Sequence, residues 1–93
     1  MRFKDRVGVI TGSARGLGKT IAQALASEGA SVVISDVDGN AARETAKNIR
    51  SKFKISTVSF KTDVREIEDI QHMINTTLQE LGKIDILVNN AGI

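Results

Sequence analysis

The chain has 93 residues, 41% of them hydrophobic and 26% charged, with thirteen basic against eleven acidic side chains and a formal charge of +2. That suits one ordinary globular domain with a modest core, and it is too apolar for a disordered segment. No basic cluster marks a nucleic-acid face, no apolar run reaches membrane length, no apolar leader precedes the first strand and no cysteine is present, so a cytoplasmic protein without disulfides or thiolate metal sites is expected.

Short β-branched runs alternate with longer segments of helical period. Arg6 to Thr11, carrying Val7, Val9 and Ile10, reads as a buried strand that ends at Gly12. Gly16 to Glu28 reads as a helix with Leu17, Ile21, Ala24 and Leu25 on one stripe, and Gly29 stands where a helix end takes a left-handed residue. Val32 to Ile34 is a second strand. Asn40 to Phe53 is a helix with Ala42, Ala46, Ile49 and Phe53 along its apolar face. Ile55 to Phe60 alternates as a third strand. A third helix runs from Val64 to Leu81, apolar at Ile67, Ile70, Met73, Ile74, Leu78 and Leu81 and stopped by Gly82, with Asp63 and Glu66 at capping-box spacing. Ile84 to Val88 is the fourth strand. Strands joined by helical crossovers pair in parallel. The expected fold is therefore α/β, β-α-β-α-β-α-β, the first half of a Rossmann doubly wound sheet in the order 3-2-1-4.

The turn Thr11-Gly12-Ser13-Ala14-Arg15-Gly16-Leu17-Gly18 lies between the first strand and the first helix, and that context gives its glycines a purpose. Gly12 permits a sharp exit from the strand, Gly16 lets a pyrophosphate approach the backbone, and Gly18 allows close packing of helix on strand. The free N–H groups of the helix N-terminus then face the phosphates. Glycines also make ordinary turns, and only the strand before and helix after favour the dinucleotide. Gly18-Lys19-Thr20 imitates the end of an NTPase phosphate loop, but the glycine required five residues earlier is replaced by Ser13. Lys19 then reads as a solvated helix residue.

Asp36 closes the second strand twenty residues after Gly16. A carboxylate there can accept from the adenosine ribose hydroxyls and repel a 2′-phosphate; the plainer alternative is a strand end or, with Asp38, a helix cap. Arg15 pulls the other way, because a guanidinium beside that pocket can neutralise a 2′-phosphate. NAD is expected over NADP. His72, alone on a charged helix flank, reads as a surface residue.

These features, with Asn89-Asn90-Ala91-Gly92 directly after the fourth strand, resemble the short-chain dehydrogenase/reductase family. Thr11 to Gly18 matches its T-G-x-x-x-G-x-G turn, and the N-N-A-G stretch matches a second signature. The resemblance implies that Asp63 and Val64 hold the adenine, while Asn90, Ala91 and Gly92 pass the cofactor ribose and the asparagine braces the sheet. It brings Gly12, Ser13, Arg15, Gly16, Leu17, Gly18 and Asp36 into the cofactor site as well. The family's catalytic tyrosine, the lysine four residues later and the upstream serine all lie beyond N-N-A-G, and this sequence has no tyrosine. The resemblance therefore implies the cofactor-binding part of an oxidoreductase, similar to 3-oxoacyl-carrier-protein reductases, with no catalytic residue of its own. A carbonyl or alcohol substrate and a homo-oligomer belong to the whole enzyme. The other reading is a nucleotide-binding mini-domain or partner subunit without catalysis.

Overall fold

The computed structural model describes residues 1–91. Its elements run β1 (Val7–Thr11), α1 (Gly16–Ser27), β2 (Ser31–Asp36), α2 (Gly39–Phe53), β3 (Thr57–Lys61), α3 (Ile67–Leu81) and β4 (Ile86–Val88). The four strands form one parallel sheet in the order β3-β2-β1-β4, the expected half of a doubly wound fold. The central pair is in register from Val7↔Ser31 to Thr11↔Ser35, which brings the end of β1 level with the end of β2.

Strands covered on both faces must be apolar on both faces, and β1 is buried at all five positions. Ile10, Val32 and Ile34 pack against Ala22 and Ala26 of α1 and Ala42, Ala46 and Ile49 of α2. Val9, Val33 and Phe60 form the opposite layer with Met73 of α3. Full burial of each isoleucine contributes roughly 1.5–3 kcal/mol, so the β1–β2 centre is the anchor on which the loops above it are fixed.

Two amphipathic faces differ from the periodicity reading. In α1 the buried residues are Gly18, Ala22 and Ala26, Leu17 is 64% exposed, and Ile21 and Leu25 are only partly covered. The close approach of this helix to the sheet selects its smallest residues and turns the leucine outward. In α3 the inward residues are Met73 and Thr77, while Ile67 is 70% and Leu78 44% exposed. The Asp63–Glu66 capping box also does not form. The helix starts later, at Ile67 after Glu66, and Asp63 turns its carboxylate to Arg65 instead. His72 is exposed, with its ring edge-on to Phe60 at 5.7 Å.

Asp85, just before β4, ties the last strand to the first. Its carboxylate accepts from the Val7 N–H at 2.9 Å, and its own N–H donates to the Val7 carbonyl at 2.9 Å. The Val7 N–H donated to the carboxylate, with Lys83 and Arg6 nearby, holds the Asp85 carboxyl below the usual carboxylate range.

Candidate functional site

The ends of β1, β2 and β4 meet at one rim of the sheet, and the glycine turn leaves β1 there. Gly12 and Gly16 both sit at φ +62°, in the left-handed region that penalises any side chain. Gly18 has a different need. A Cβ on it would overlap the Gly12 carbonyl oxygen and lie 2.8 Å from Asn90 Nδ2, so the helix reaches its neighbours only because the residue has no side chain. A Cβ on Gly16, by contrast, would meet nothing within 4 Å.

The start of α1 is unsatisfied. The first N–H groups of a helix have no intrahelical acceptor, and here Arg15 at the N-cap makes no side-chain cap bond and the first turn has no acidic residue to serve them. Helix α2 is capped in the ordinary way, with the Asp38 carboxylate accepting from the Ala41 N–H at 3.0 Å. An anion brought to the glycine turn therefore finds a favourable dipole and uncapped donors at α1, whereas at α2 the Ala41 N–H is already taken by Asp38.

Asp36 is fixed by two backbone donors. Oδ2 accepts from the Ala14 N–H and Oδ1 from the Asp38 N–H, each at 3.1 Å. The end of β2 and the glycine turn are thereby one unit. Ser13 locks the same junction from inside: it is fully buried, donates to the Ile10 carbonyl at 2.6 Å and accepts from the Ser35 N–H at 3.0 Å.

The N-N-A-G segment is knitted to the turn through Thr11. The Thr11 hydroxyl accepts from the Asn90 and Ala91 N–H groups at 3.0 and 3.1 Å. Asn90 Nδ2 donates to the Gly12 carbonyl at 3.1 Å. Thr11 was visible only as the first letter of a motif; its bridging role needs the register of β1 and β4, which a sequence does not display.

At the far side of the rim, Asp63 receives a fork from Arg65: Nε to Oδ1 at 3.0 Å and Nη2 to Oδ2 at 2.9 Å, with the Arg65 N–H also on Oδ1 at 2.9 Å. Those Arg65 bonds draw the Asp63 carboxyl down to about 2. A folded-state value below the ordinary 3.8 favours the folded form above that pH and ceases to do so as pH falls towards 2. Asp63 is thus an acceptor, not a donor, across the neutral range.

A cavity of about 600 Å³ opens between these groups, lined by Gly12, Asp36, Asp63, Val64, Asn90 and Ala91, together with Val37, Thr62 and Arg65. Six of the residues singled out from sequence share it. Gly16 and Leu17 are exposed and Gly18 buried outside its lining, Ser13 is sealed beneath the turn, and Arg15 pairs with Asp38. Gly92 lies outside the described residues. Val37, 62% exposed, and Thr62 were missed, since an exposed valine and a buried threonine carry no signal of their own. Among the described residues no group of three or more His, Asp or Glu side chains could hold a metal, and no helix is long and apolar enough to cross a membrane.

Residues 6–93 match the model of the family described as short chain dehydrogenase. The chain belongs to the short-chain dehydrogenase family. It is 43% identical over all 93 residues to galactitol 2-dehydrogenase of Agrobacterium fabrum, covering 35% of that protein. It is 34% identical, again over its whole length, to a 3-oxoacyl-carrier-protein reductase of Aquifex aeolicus, covering 38% of it. Among solved structures, a short chain dehydrogenase from Mycobacterium paratuberculosis bound to NAD superposes with a TM-score of 0.92 at 27% identity, over 100% of this chain and 39% of that one. The chain thus spans little more than a third of the length of these relatives. Short-chain dehydrogenases are oxidoreductases built on an NAD-binding Rossmann fold, and the parallel sheet and the two motifs of this chain are theirs.

Proposed function

We propose that this chain forms the adenosine and pyrophosphate side of the cofactor site of a longer NAD-dependent oxidoreductase, which interconverts a carbonyl and an alcohol. The observation that carries the reading is the cavity of about 600 Å³ that Gly12 of the glycine turn shares with the fixed carboxylate of Asp36, the Asp63–Val64 pair and Asn90–Ala91. The residues fit the group. Gly16 leaves open space where a side chain would stand, and the uncapped α1 terminus offers N–H groups from Gly16, Leu17 and Gly18 to the pyrophosphate. Asp36 would accept from the ribose hydroxyls. Asp63, held ionised, would accept from the adenine amino group, with Val64 against the ring. Ser13 would act from below, by holding the turn in place.

Bound NAD supplies the hydride acceptor or donor. This chain's own residues bind and orient it. They offer no phenol for proton transfer, since the sequence has no tyrosine, so the proton-transfer group is assigned to the remainder of the enzyme. The substrate reading has two supports: a 3-oxoacyl thioester from the Aquifex aeolicus relative and a sugar alcohol from the Agrobacterium fabrum one. The proposal commits to the chemistry that both share, a secondary alcohol and its ketone. A cytoplasmic location, which the lack of cysteine fits, and a homo-oligomer, which the resemblance implies, complete the reading.

The test is a pair of assays of NADH oxidation with a panel of ketones. The full-length enzyme turns over, and the purified 93-residue chain does not. Turnover by the 93-residue chain alone contradicts the proposal.

A further inference from the structure

The acidic residue two positions beyond Asp36 has no part in the reading above, yet it is placed to decide what Arg15 can do. Asp38 uses both carboxylate oxygens. Oδ1 accepts from the Ala41 N–H at 3.0 Å and caps α2, while Oδ2 takes Arg15 Nη2 at 2.9 Å. Its backbone N–H donates to Asp36 Oδ1 at 3.1 Å, and the other oxygen of Asp36 takes the N–H of Ala14, the residue before Arg15. Ala14, Asp36, Asp38 and Arg15 therefore close a ring in which Arg15 is turned toward Asp38.

We infer that Asp38 is a positioning residue for cofactor choice: its carboxylate, immobilised by the α2 cap, holds the Arg15 guanidinium away from the 2′-phosphate of an incoming NADP. The inference rests on the assignment of Asp36 to the adenosine ribose. The guanidinium is the basic group that the glycine turn offers near that carboxylate, and its side chain is 70% exposed. Free, it would swing to a 2′-phosphate dianion and offset the repulsion from Asp36. Paired, it is neutralised by a carboxylate whose orientation the helix fixes. The Ala41 N–H bond and the neighbouring Arg15 both lower the pKa of Asp38, so the clamp stays charged at neutral pH. The pair is exposed on both sides, so its influence is modest. A solvent-exposed ion pair of this kind sets a change of about two- to five-fold.

Asp38→Asn separates the two jobs of the side chain. Asparagine caps a helix as well as aspartate does, so α2 stays formed, which circular dichroism and the melting temperature check directly. Only the charge facing Arg15 is lost. In the full-length enzyme, the ratio of the NADP to the NAD dissociation constant is measured for wild type, Asp38→Asn, Arg15→Ala and the double variant. The expected result is a shift of about two- to five-fold toward NADP on Asp38→Asn, reduced by at least half when Arg15 is also replaced. No shift, or an equal shift in both backgrounds, overturns the inference; the second outcome means a bare charge effect without a clamp. The Asp36 assignment fails differently, through an Asp36→Ala variant whose ratio of NADP to NAD dissociation constants matches the wild type, and the comparison of the two Arg15 backgrounds reads the Arg15–Asp38 coupling in either case.

Discussion

Replacing Gly18 by alanine is expected to damage the site and the fold together. The new methyl group would overlap the Gly12 carbonyl oxygen and stand 2.9 Å from the Gly12 carbonyl carbon. Both are backbone atoms of the turn and cannot rotate aside as a side-chain end would. Either α1 retreats from β1 or the turn is displaced, and overpacking of this kind costs about 1–3 kcal/mol. The Asn90 bond to the Gly12 carbonyl goes with it, a further loss of roughly 0.5–1.5 kcal/mol. The melting temperature should therefore fall by several degrees and NAD affinity by about tenfold or more, the factor that 1.4 kcal/mol represents. Gly16→Ala is the control. Its methyl group meets open space, so the penalty is mainly the left-handed backbone, about 1–2 kcal/mol. The predicted pattern is a larger stability loss at Gly18 than at Gly16. Equal melting temperatures for the two variants would mean that the close approach of helix and turn is not what the structure describes.

Asp36→Ala is expected to narrow the preference for NAD over NADP by about tenfold or more. Each charge-assisted hydrogen bond lost to a ribose hydroxyl is worth roughly 1.5–3 kcal/mol, and removing the carboxylate also removes its repulsion of a 2′-phosphate. The structure adds a second consequence. Asp36 holds the Ala14 and Asp38 N–H groups, so the variant loosens the glycine turn and weakens both cofactors. The ratio of the two dissociation constants, rather than either one, is the readout. An unchanged ratio removes Asp36 from the ribose.

The sequence carried the order of elements and the 3-2-1-4 sheet because strands buried on both faces read as continuous apolar runs, and Val7 to Ile10 and Val32 to Ile34 are such runs. It carried the sharp turn at Gly12 and the close packing at Gly18, because a glycine between strand and helix marks a backbone that a side chain would obstruct. It placed Ile21 and Leu25 against the core but misplaced Leu17, since periodicity rewards a large residue there, whereas the closest approach to β1 and β2 is made by Gly18, Ala22 and Ala26. The Asp63–Glu66 cap was equally plausible from spacing. Arg65, two residues on, competes for the Asp63 carboxylate with a two-pronged fork that no capping pattern includes. The Arg15–Asp38 pair spans 23 positions and depends on how β2 ends beside the turn. The same holds for Thr11 and its bonds to Asn90 and Ala91, which join opposite ends of the chain.

The proposed site holds the adenosine and pyrophosphate of NAD between the glycine turn, Asp36 and the Asp63–Val64 pair. Amide hydrogen exchange of the full-length enzyme, with and without saturating NAD, tests it most directly, because it reports which backbone N–H groups the cofactor covers. Slowed exchange is expected at Gly16, Leu17 and Gly18, and again at Val64, with little change along the outer face of α2 or at Asp63, whose N–H already donates to Asp69 Oδ2 at 3.0 Å. Saturable NAD binding that leaves the Gly16–Gly18 amides exchanging as fast as in the free enzyme would contradict it.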